Sequence, residues 1–251
     1  MSIAETPLRR TKTSVLVAHK LARQAARMEP GEMLPPERSL LEELQVGRGT
    51  LREALRLLEL QGIISMKAGP RGGPVVSRPD HGPLADTLAL ALQAIGVTFA
   101  EVVNARLAFE PSLARLAGER VREDRAGEEP ALAAMREALA ELADALDDEQ
   151  EFLEANLCFH EALGSCSHNR PLELFHLCLV KISDGHALGV SYTGARRKAI
   201  LEAHGELIER IAAGDPEGAQ AQMGENITHF ASYLRRSHKD LLDRRVEWIL
   251  A

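Results

Sequence analysis

Arg48, Arg52 and Arg56 recur every fourth residue in the stretch GRGTLREALRLLEL. On a helix that spacing lines three guanidinium groups along one stripe. Arginine can donate two hydrogen bonds to the edge of guanine and can also hold phosphate. Arginines in a turn and in the first turn of a helix are therefore well placed to read DNA through the major groove. The alternative for the same residues is a solvated face paired with Glu53 and Glu59. No glycine-rich phosphate loop and no G-x-S-x-G motif occurs, so the chain offers no ready nucleophile or phosphate cradle.

The elements around these arginines decide between the two assignments. Pro35 and Pro36 suit a helix start, where a missing N–H costs nothing, and Leu40, Leu41 and Leu44 follow at helical spacing. Gln45, Val46 and Gly47 break that helix, with Gly47 expected to supply the positive φ of a tight turn. Thr50-Leu51-Arg52-Glu53 has the form of a capping box, which restarts a helix near Thr50, with Leu51, Leu55 and Leu58 as its buried stripe. Gly62 ends it. Residues 63–66 and 74–77 then read as two short strands around the glycine-rich segment 68–73. Helix, turn, helix and hairpin in this order spell a winged helix-turn-helix, with the arginines on its second helix.

LPPERSLLEELQVGRGTLREALRLLELQGII resembles the N-terminal domain of GntR-type bacterial transcription regulators, through Leu34 to Arg38, through Arg48 with Leu51 to Leu55, and through Leu58 with Gly62 to Ile64. The resemblance implies operator contacts from Arg38, Arg48 and Arg52, with Thr50 counted beside them, and a wing tip at Gly69 near the minor groove. Gly47 and Gly49 stand where the family usually has hydroxyl residues or proline, which removes side-chain phosphate contacts there.

Charge divides along the chain. Residues 1–78 carry 13 Lys+Arg against 8 Asp+Glu, a net +5, whereas the remainder of the −7 chain is −12. A basic head on an acidic body suits nucleic-acid binding by the head alone. Residues 1–10 lack periodicity and read as a loose arm whose Arg9 and Arg10, with Lys12, add phosphate contacts or remain free. Residues 15–28 read as a first helix. The expected division is a DNA-binding domain over 1–78, a linker over 79–83 rich in proline and glycine, and an all-α domain over 84–251. Three cysteines, Cys158, Cys166 and Cys178, are too few and odd in number for a disulfide framework and read as buried thiols of a cytoplasmic protein. No signal peptide and no membrane-spanning apolar run is found.

Beyond residue 83 the periodicity is helical throughout. Helices are expected at 83–95, 98–122, 129–147, 149–167, 170–189, 194–213 and 215–240, with a short one near 241–250. With aromatics at 4%, the core must be built largely from Leu, Ala, Ile and Val. The fold class is mostly α: a winged helix-turn-helix with a small β-wing, followed by an all-α bundle.

This second part is similar to the FCD ligand-binding domain of the FadR branch of the same superfamily. The resemblance rests on residues 106–111, on residues 156–160 followed by Ser167-His168-Asn169, on Glu202-Ala203-His204, and on residues 214–219 with Met223. It implies a bundle that binds a small effector, dimerises, and alters operator affinity. Many FCD domains hold a divalent metal, zinc or a similar ion, with an aspartate, a histidine four residues on, and two later histidines. Carried onto this sequence, the positions are Asn156, His160, His204 and Asn226, so the anionic ligand is missing and two ligands are neutral amides. The implied metal site is lost or weakened, with His160 and His204 its remaining ligands and Asn156, Asn226 or His229 completing it. Asn156, His160, His204 and Asn226 then line a polar cavity that hydrogen-bonds the effector directly. The resemblance also points Arg106 into that cavity, matched to a carboxylate; the alternative is a helical pair with Glu110. His168, His176, His186 and His238 receive no role. Arg196-Arg197-Lys198 suits an acidic effector such as a CoA phosphate, with a solvated helix start as the preferred assignment.

The expected protein is a cytoplasmic, homodimeric transcription regulator, a repressor, reading an inverted repeat in double-stranded DNA and controlled by a carboxylate or acyl-type metabolite. It is not an enzyme and has no membrane partner. Two alternatives remain beside it: an effector-independent dimeric DNA-binding protein, and a metal-dependent hydrolase using Glu161, Glu202 or Glu206 as base.

Overall fold

The computed structural model describes residues 12–69, 72–77, 81–123, 130–183, 189–238 and 240–247. The chain divides into two compact units, Met1–Pro83 and Leu84–Ala251. Residues 1–11, with the arm's Arg9 and Arg10, and residues 78–80, 184–188 and 248–251 lie outside the described set, His186 among them.

The first unit contains α1 (Thr13–Ala25), α2 (Glu37–Leu44), α3 (Arg48–Leu60), β1 (Ile64–Lys67) and β2 (Gly73–Val76). Leu21, Leu40, Leu51, Ala54, Leu58 and Ile64 form its fully buried centre, so each helix contributes one apolar stripe. The strands pair antiparallel, Ile64 opposite Val76 and Lys67 opposite Gly73. Residues 31–34 extend the ladder on the other edge of β2, through Gly31 N–H to Val76 O at 2.8 Å and Leu34 N–H to Pro74 O at 2.9 Å.

Two local expectations are corrected here. The left-handed residue of the turn is Gln45 (φ +52°), not Gly47, which is extended at φ −77°. The left-handed position falls immediately after α2, at Gln45, whose side-chain amide donates to Glu42 O at 2.7 Å. Helix α3 also starts two residues before Thr50, at Arg48, with Gly47 as N-cap and no side-chain cap, so Thr50 lies inside the first turn rather than capping it.

The second unit is a bundle of α4 (His81–Ile95), α5 (Phe99–Glu123), α6 (Pro130–Asp144), α7 (Glu149–Cys166), α8 (Arg170–Ser183), α9 (Gly194–Ala212) and α10 (Pro216–Ser237). Residues 81–83, read as linker, form the first turn of α4, where Pro83 is tolerated. The core is carried by Phe152, Phe159, Leu113, Met135, Leu142, Leu163 and Leu207, all fully buried. Helix α5 packs along α10, and α7 packs against α6 and α8. Gly118 permits the α5–α10 approach, since a Cβ there would sit 2.9 Å from Pro216 Cα. Asp148, Thr193 and Asp215 cap α7, α9 and α10 through side-chain oxygens, fixing where three of the long helices begin. The helix expected near 241–250 is absent from the described residues 240–247. That segment instead turns and bonds to the start of α5, Phe99 N–H to Arg244 O at 3.0 Å and Ala100 N–H to Leu242 O at 2.9 Å. Cys166 and Cys178 are buried, but Cys158 is exposed on α7: helical periodicity alone did not fix which side of the apolar stripe it falls on.

Candidate functional site

In the first unit Arg48 opens α3, Arg52 lies one turn on, and both are exposed, as is Arg56. Arg52 Nε stands 3.7 Å from Glu37 Oε1 at the start of α2, so its ion pair crosses to the neighbouring helix rather than running to Glu53 or Glu59. Arg38 is exposed on α2, its Nε 3.2 Å from Glu42 Oε1. Such exposed pairs are worth well under about 1 kcal/mol and yield readily to a phosphate or a base edge. Thr50 is half-buried in the first turn of α3. Gly69 is exposed in the hairpin at φ +109°, a conformation that favours glycine, and its carbonyl accepts Gly72 N–H at 2.9 Å.

In the second unit a cavity of about 370 Å³ opens between α5, α7, α8, α9 and α10. Arg106, Asn156, His160, His204, Asn226 and His229 all line it, so the fold gathers onto one wall residues spread over more than 120 positions of sequence. Most of their polar groups are engaged by neighbouring protein groups, and one bond joins two of them directly. His204 Nε2 lies 2.9 Å from Asn156 Oδ1, which makes Nε2 the protonated nitrogen and leaves Nδ1 a buried lone pair without a partner among the described residues. The imidazole is stacked flat on Phe159, centroids 3.9 Å apart and planes within 5°. Asn226 accepts from Gln222 Nε2 at 3.0 Å and donates to Ala203 O at 3.2 Å. His160 Nδ1 meets His176 Nε2 at 3.2 Å.

This arrangement does not fit the metal that the FCD resemblance implies. The amide oxygen of Asn156 and the imidazole nitrogen of His204, which would share a cation, share a proton instead. Asn226 is turned into a bond with its own helix and α9. Among the described residues no group of three or more His, Cys, Asp or Glu is placed to hold a metal ion.

Arg106 takes the helical pair as well as the pocket. Its Nε donates to Glu110 Oε1 at 2.6 Å, one terminal nitrogen reaches Glu110 Oε2 at 3.4 Å, and the other reaches Ser183 Oγ at 3.0 Å. Three of its five N–H groups are thereby used. Glu110 is fully buried; burial pushes its carboxyl up, but the charges and hydrogen bonds of Arg106 and His176 outweigh this and hold it at about 2. Burial, and then the charges of neighbouring arginines, hold His204 down to about 3. Burial first, then His176, His204 and Arg106, keep His160 well below its ordinary value. Both pocket imidazoles are neutral at physiological pH.

Two residues belong to this site that the sequence did not assign to it: His176, which received no role, and Arg196, for which an acidic-effector role stood second to a solvated helix start. His176, fully buried on α8, touches Glu110 Oε1 from Nδ1 at 3.2 Å and His160 from Nε2, bridging the ion pair to the cavity wall. Its only sequence signal was a polar ring inside the apolar run LFHLCLV. Arg196, assigned to a solvated helix start, turns inward over Tyr233 (4.9 Å) and Phe230 (5.9 Å), and lines the cavity. Nothing local distinguishes it from Arg197, which donates to Leu146 O and Tyr192 O.

A winged helix-turn-helix presenting arginines, in one chain with a helical bundle enclosing a cation-lined cavity, defines a ligand-responsive DNA-binding regulator. Residues 17–72 match the family described as bacterial regulatory proteins, gntR family, and residues 101–229 match the FCD domain. The chain belongs to the GntR family of bacterial transcription regulators, in the FadR-type branch that carries an FCD domain. It is similar to the HTH-type transcriptional repressor NanR of Salmonella newport, 32% identical over 188 residues that cover 71% of this chain and 68% of that protein. The NanR of Salmonella bongori matches at 32% identity, over 71% of this chain and 67% of its own length. Among solved structures, Streptococcus agalactiae GntR shares the fold, with a TM-score of 0.62 at 24% identity, covering 89% of this chain and 100% of that one. The protein is therefore a DNA-binding transcription regulator and not an enzyme. No described helix is long and apolar enough to cross a membrane.

Proposed function

We propose that this regulator is a cytoplasmic homodimeric repressor. Its two α3 helices read an inverted repeat, and a small carboxylate or acyl-type metabolite in the bundle cavity sets its affinity for that operator. Arg48 and Arg52 read bases, Thr50 and Arg38 hold backbone, and the Gly69 wing reaches the adjacent groove. Arg106, Asn156, His160, His204 and Asn226 receive the effector, without a tightly held metal.

The observation that carries this reading is the pairing within one chain of an exposed arginine stripe on α3 and a cavity whose lining includes Arg106, Arg196 and Arg236 and, among the described residues, no carboxylate. An anion bound there interacts differently with the two states of the dimer, and that difference is what shifts operator affinity. The relatives named NanR are repressors, which favours repression as the direction of control.

The test is a selected operator duplex titrated by fluorescence anisotropy, with and without a deproteinised metabolite extract, for the parent protein and Arg106→Lys. The extract should change operator affinity of the parent at least about fivefold. Arg106→Lys, which keeps a charge opposite Glu110 but loses the planar fork, should bind DNA normally and ignore the extract. Operator affinity insensitive to every metabolite fraction would favour the effector-independent reading instead.

A further inference from the structure

We infer that the effector is an organic dianion, a small molecule with two acidic groups clamped between Arg106 and Arg196 in a metal-free cavity. This rests on the cavity being the effector site and names what that site selects.

Arg196 is the third residue of α9; its backbone N–H is capped by Thr193 Oγ1 at 3.2 Å, and its side chain leaves the helix toward the cavity. The guanidinium lies over two aromatic rings, 5.9 Å from the Phe230 centroid and 4.9 Å from that of Tyr233. Its Nε is buried and without a hydrogen-bond partner among the described residues. A half-buried cation with no described anion opposite its buried Nε is an unfavourable arrangement unless something else supplies the charge. Among the described residues no Asp or Glu lines the cavity to do so.

Charge at the site argues for two acidic groups rather than one. Arg106, Arg196 and Arg236 line the cavity, and Glu110, behind Arg106, is the one carboxylate among the described residues paired with them. His160 and His204 are neutral, and among the described residues two lining arginines, Arg196 and the exposed Arg236, have no carboxylate partner. Arg106 still has two N–H donors beyond those held by Glu110 and Ser183. Arg196 has its Nε–H and, among the described residues, no carboxylate. Phe230 is a shared neighbour, 5.6 Å from the Arg106 guanidinium carbon and 5.9 Å from that of Arg196, so both cations stand within 6 Å of one ring centroid. That proximity favours two acidic groups joined by a short carbon chain, with Asn156, His204 and Ser183 at hand for hydroxyl or carbonyl groups between them.

The proposal is tested with chelating-resin-treated full-length protein by isothermal titration with malonate, succinate, glutarate and adipate, each beside the monoacid of equal chain length. At least one diacid should bind ten- to a hundredfold more tightly than its monoacid. Arg196→Gln should erase that preference, and Arg196→Lys should retain part of it while leaving the thermal midpoint near the parent's. The proposal is overturned if no diacid binds, or if Arg196→Gln discriminates diacid from monoacid as the parent does. Anisotropy on a selected operator duplex in the same samples separates the two levels of the argument. A diacid that binds in an Arg196-dependent way without moving operator affinity upholds the dianion site and sinks effector control.

Discussion

His204 Nε2 and Asn156 Oδ1 meet at 2.9 Å, and this one hydrogen bond occupies two of the four positions to which the FCD resemblance would assign a metal. An aspartate at position 156 would carry the charge that a divalent ion requires; asparagine instead accepts a hydrogen bond from His204 Nε2–H. The double variant Asn156→Asp, Asn226→His restores an anionic oxygen and a third imidazole. It should bind close to one zinc per chain by elemental analysis, where the parent purified without chelator holds far less. A stoichiometric metal in the parent would contradict the reading of this site.

The ion pair beneath the cavity should matter for stability as well as binding. Glu110 and Arg106 are both buried, and removing one partner strands the other. Arg106→Ala or Glu110→Ala should lower unfolding free energy by about 3–5 kcal/mol, measured by denaturant titration. Replacing both residues together by methionine should recover much of that loss.

Acid sensitivity follows from the two neutral imidazoles. In the unfolded chain each titrates near 6.5, whereas His204 in the fold titrates at about 3 and His160 also lies well below 6.5. Folding therefore excludes protons, and stability is complete above pH 6.5 and declines as pH falls toward the folded values. Each histidine should contribute a slope of about 1.4 kcal/mol per pH unit in that window. Denaturant titrations at pH 7.5 and pH 5.5 should show the loss, and His204→Phe should reduce it by roughly half. Glu110, held low, adds stability that persists until far more acidic conditions.

Gly118 offers a purely steric check on the frame around the site. An added Cβ would meet Pro216 Cα at 2.9 Å and Pro216 N at 3.1 Å, both backbone atoms that cannot rotate away. Gly118→Ala should separate the N-terminus of α10 from α5 and cost about 1–3 kcal/mol, with weakened effector response because Arg106 and Phe230 ride on those two helices. An unchanged thermal midpoint would mean the helices part without penalty.

Much of the head was legible because its signals are local. Proline before α2, leucines at helical spacing and Gly62 after α3 each act within a few residues, and the elements fall within about three residues of their expected bounds. The turn was harder to read: whether Gln45 or Gly47 takes the left-handed backbone depends on where α2 stops, and both residues permit it. In the body, helices were legible for the same reason, but the site was legible only through the FCD resemblance. His176 and Arg196 show why. A histidine in an apolar stripe and an arginine in a basic helix start have ordinary local explanations, and only packing puts one against Glu110 and turns the other over Tyr233. Arg106 similarly satisfied both of its assignments, pairing with Glu110 while still lining the cavity.

The central claim is that the α3 arginines read a specific sequence, and the most direct measurement compares parent and Arg52→Ala. Duplexes are selected from a random pool with the parent protein, then affinities for the winner and for a scrambled duplex are measured at moderate salt. The parent should enrich an inverted repeat, and Arg52→Ala should lose about 1–3 kcal/mol of affinity for it with relaxed discrimination. Failure to enrich any sequence, or equal affinity and discrimination in Arg52→Ala, would contradict the assignment of α3 as the reading helix.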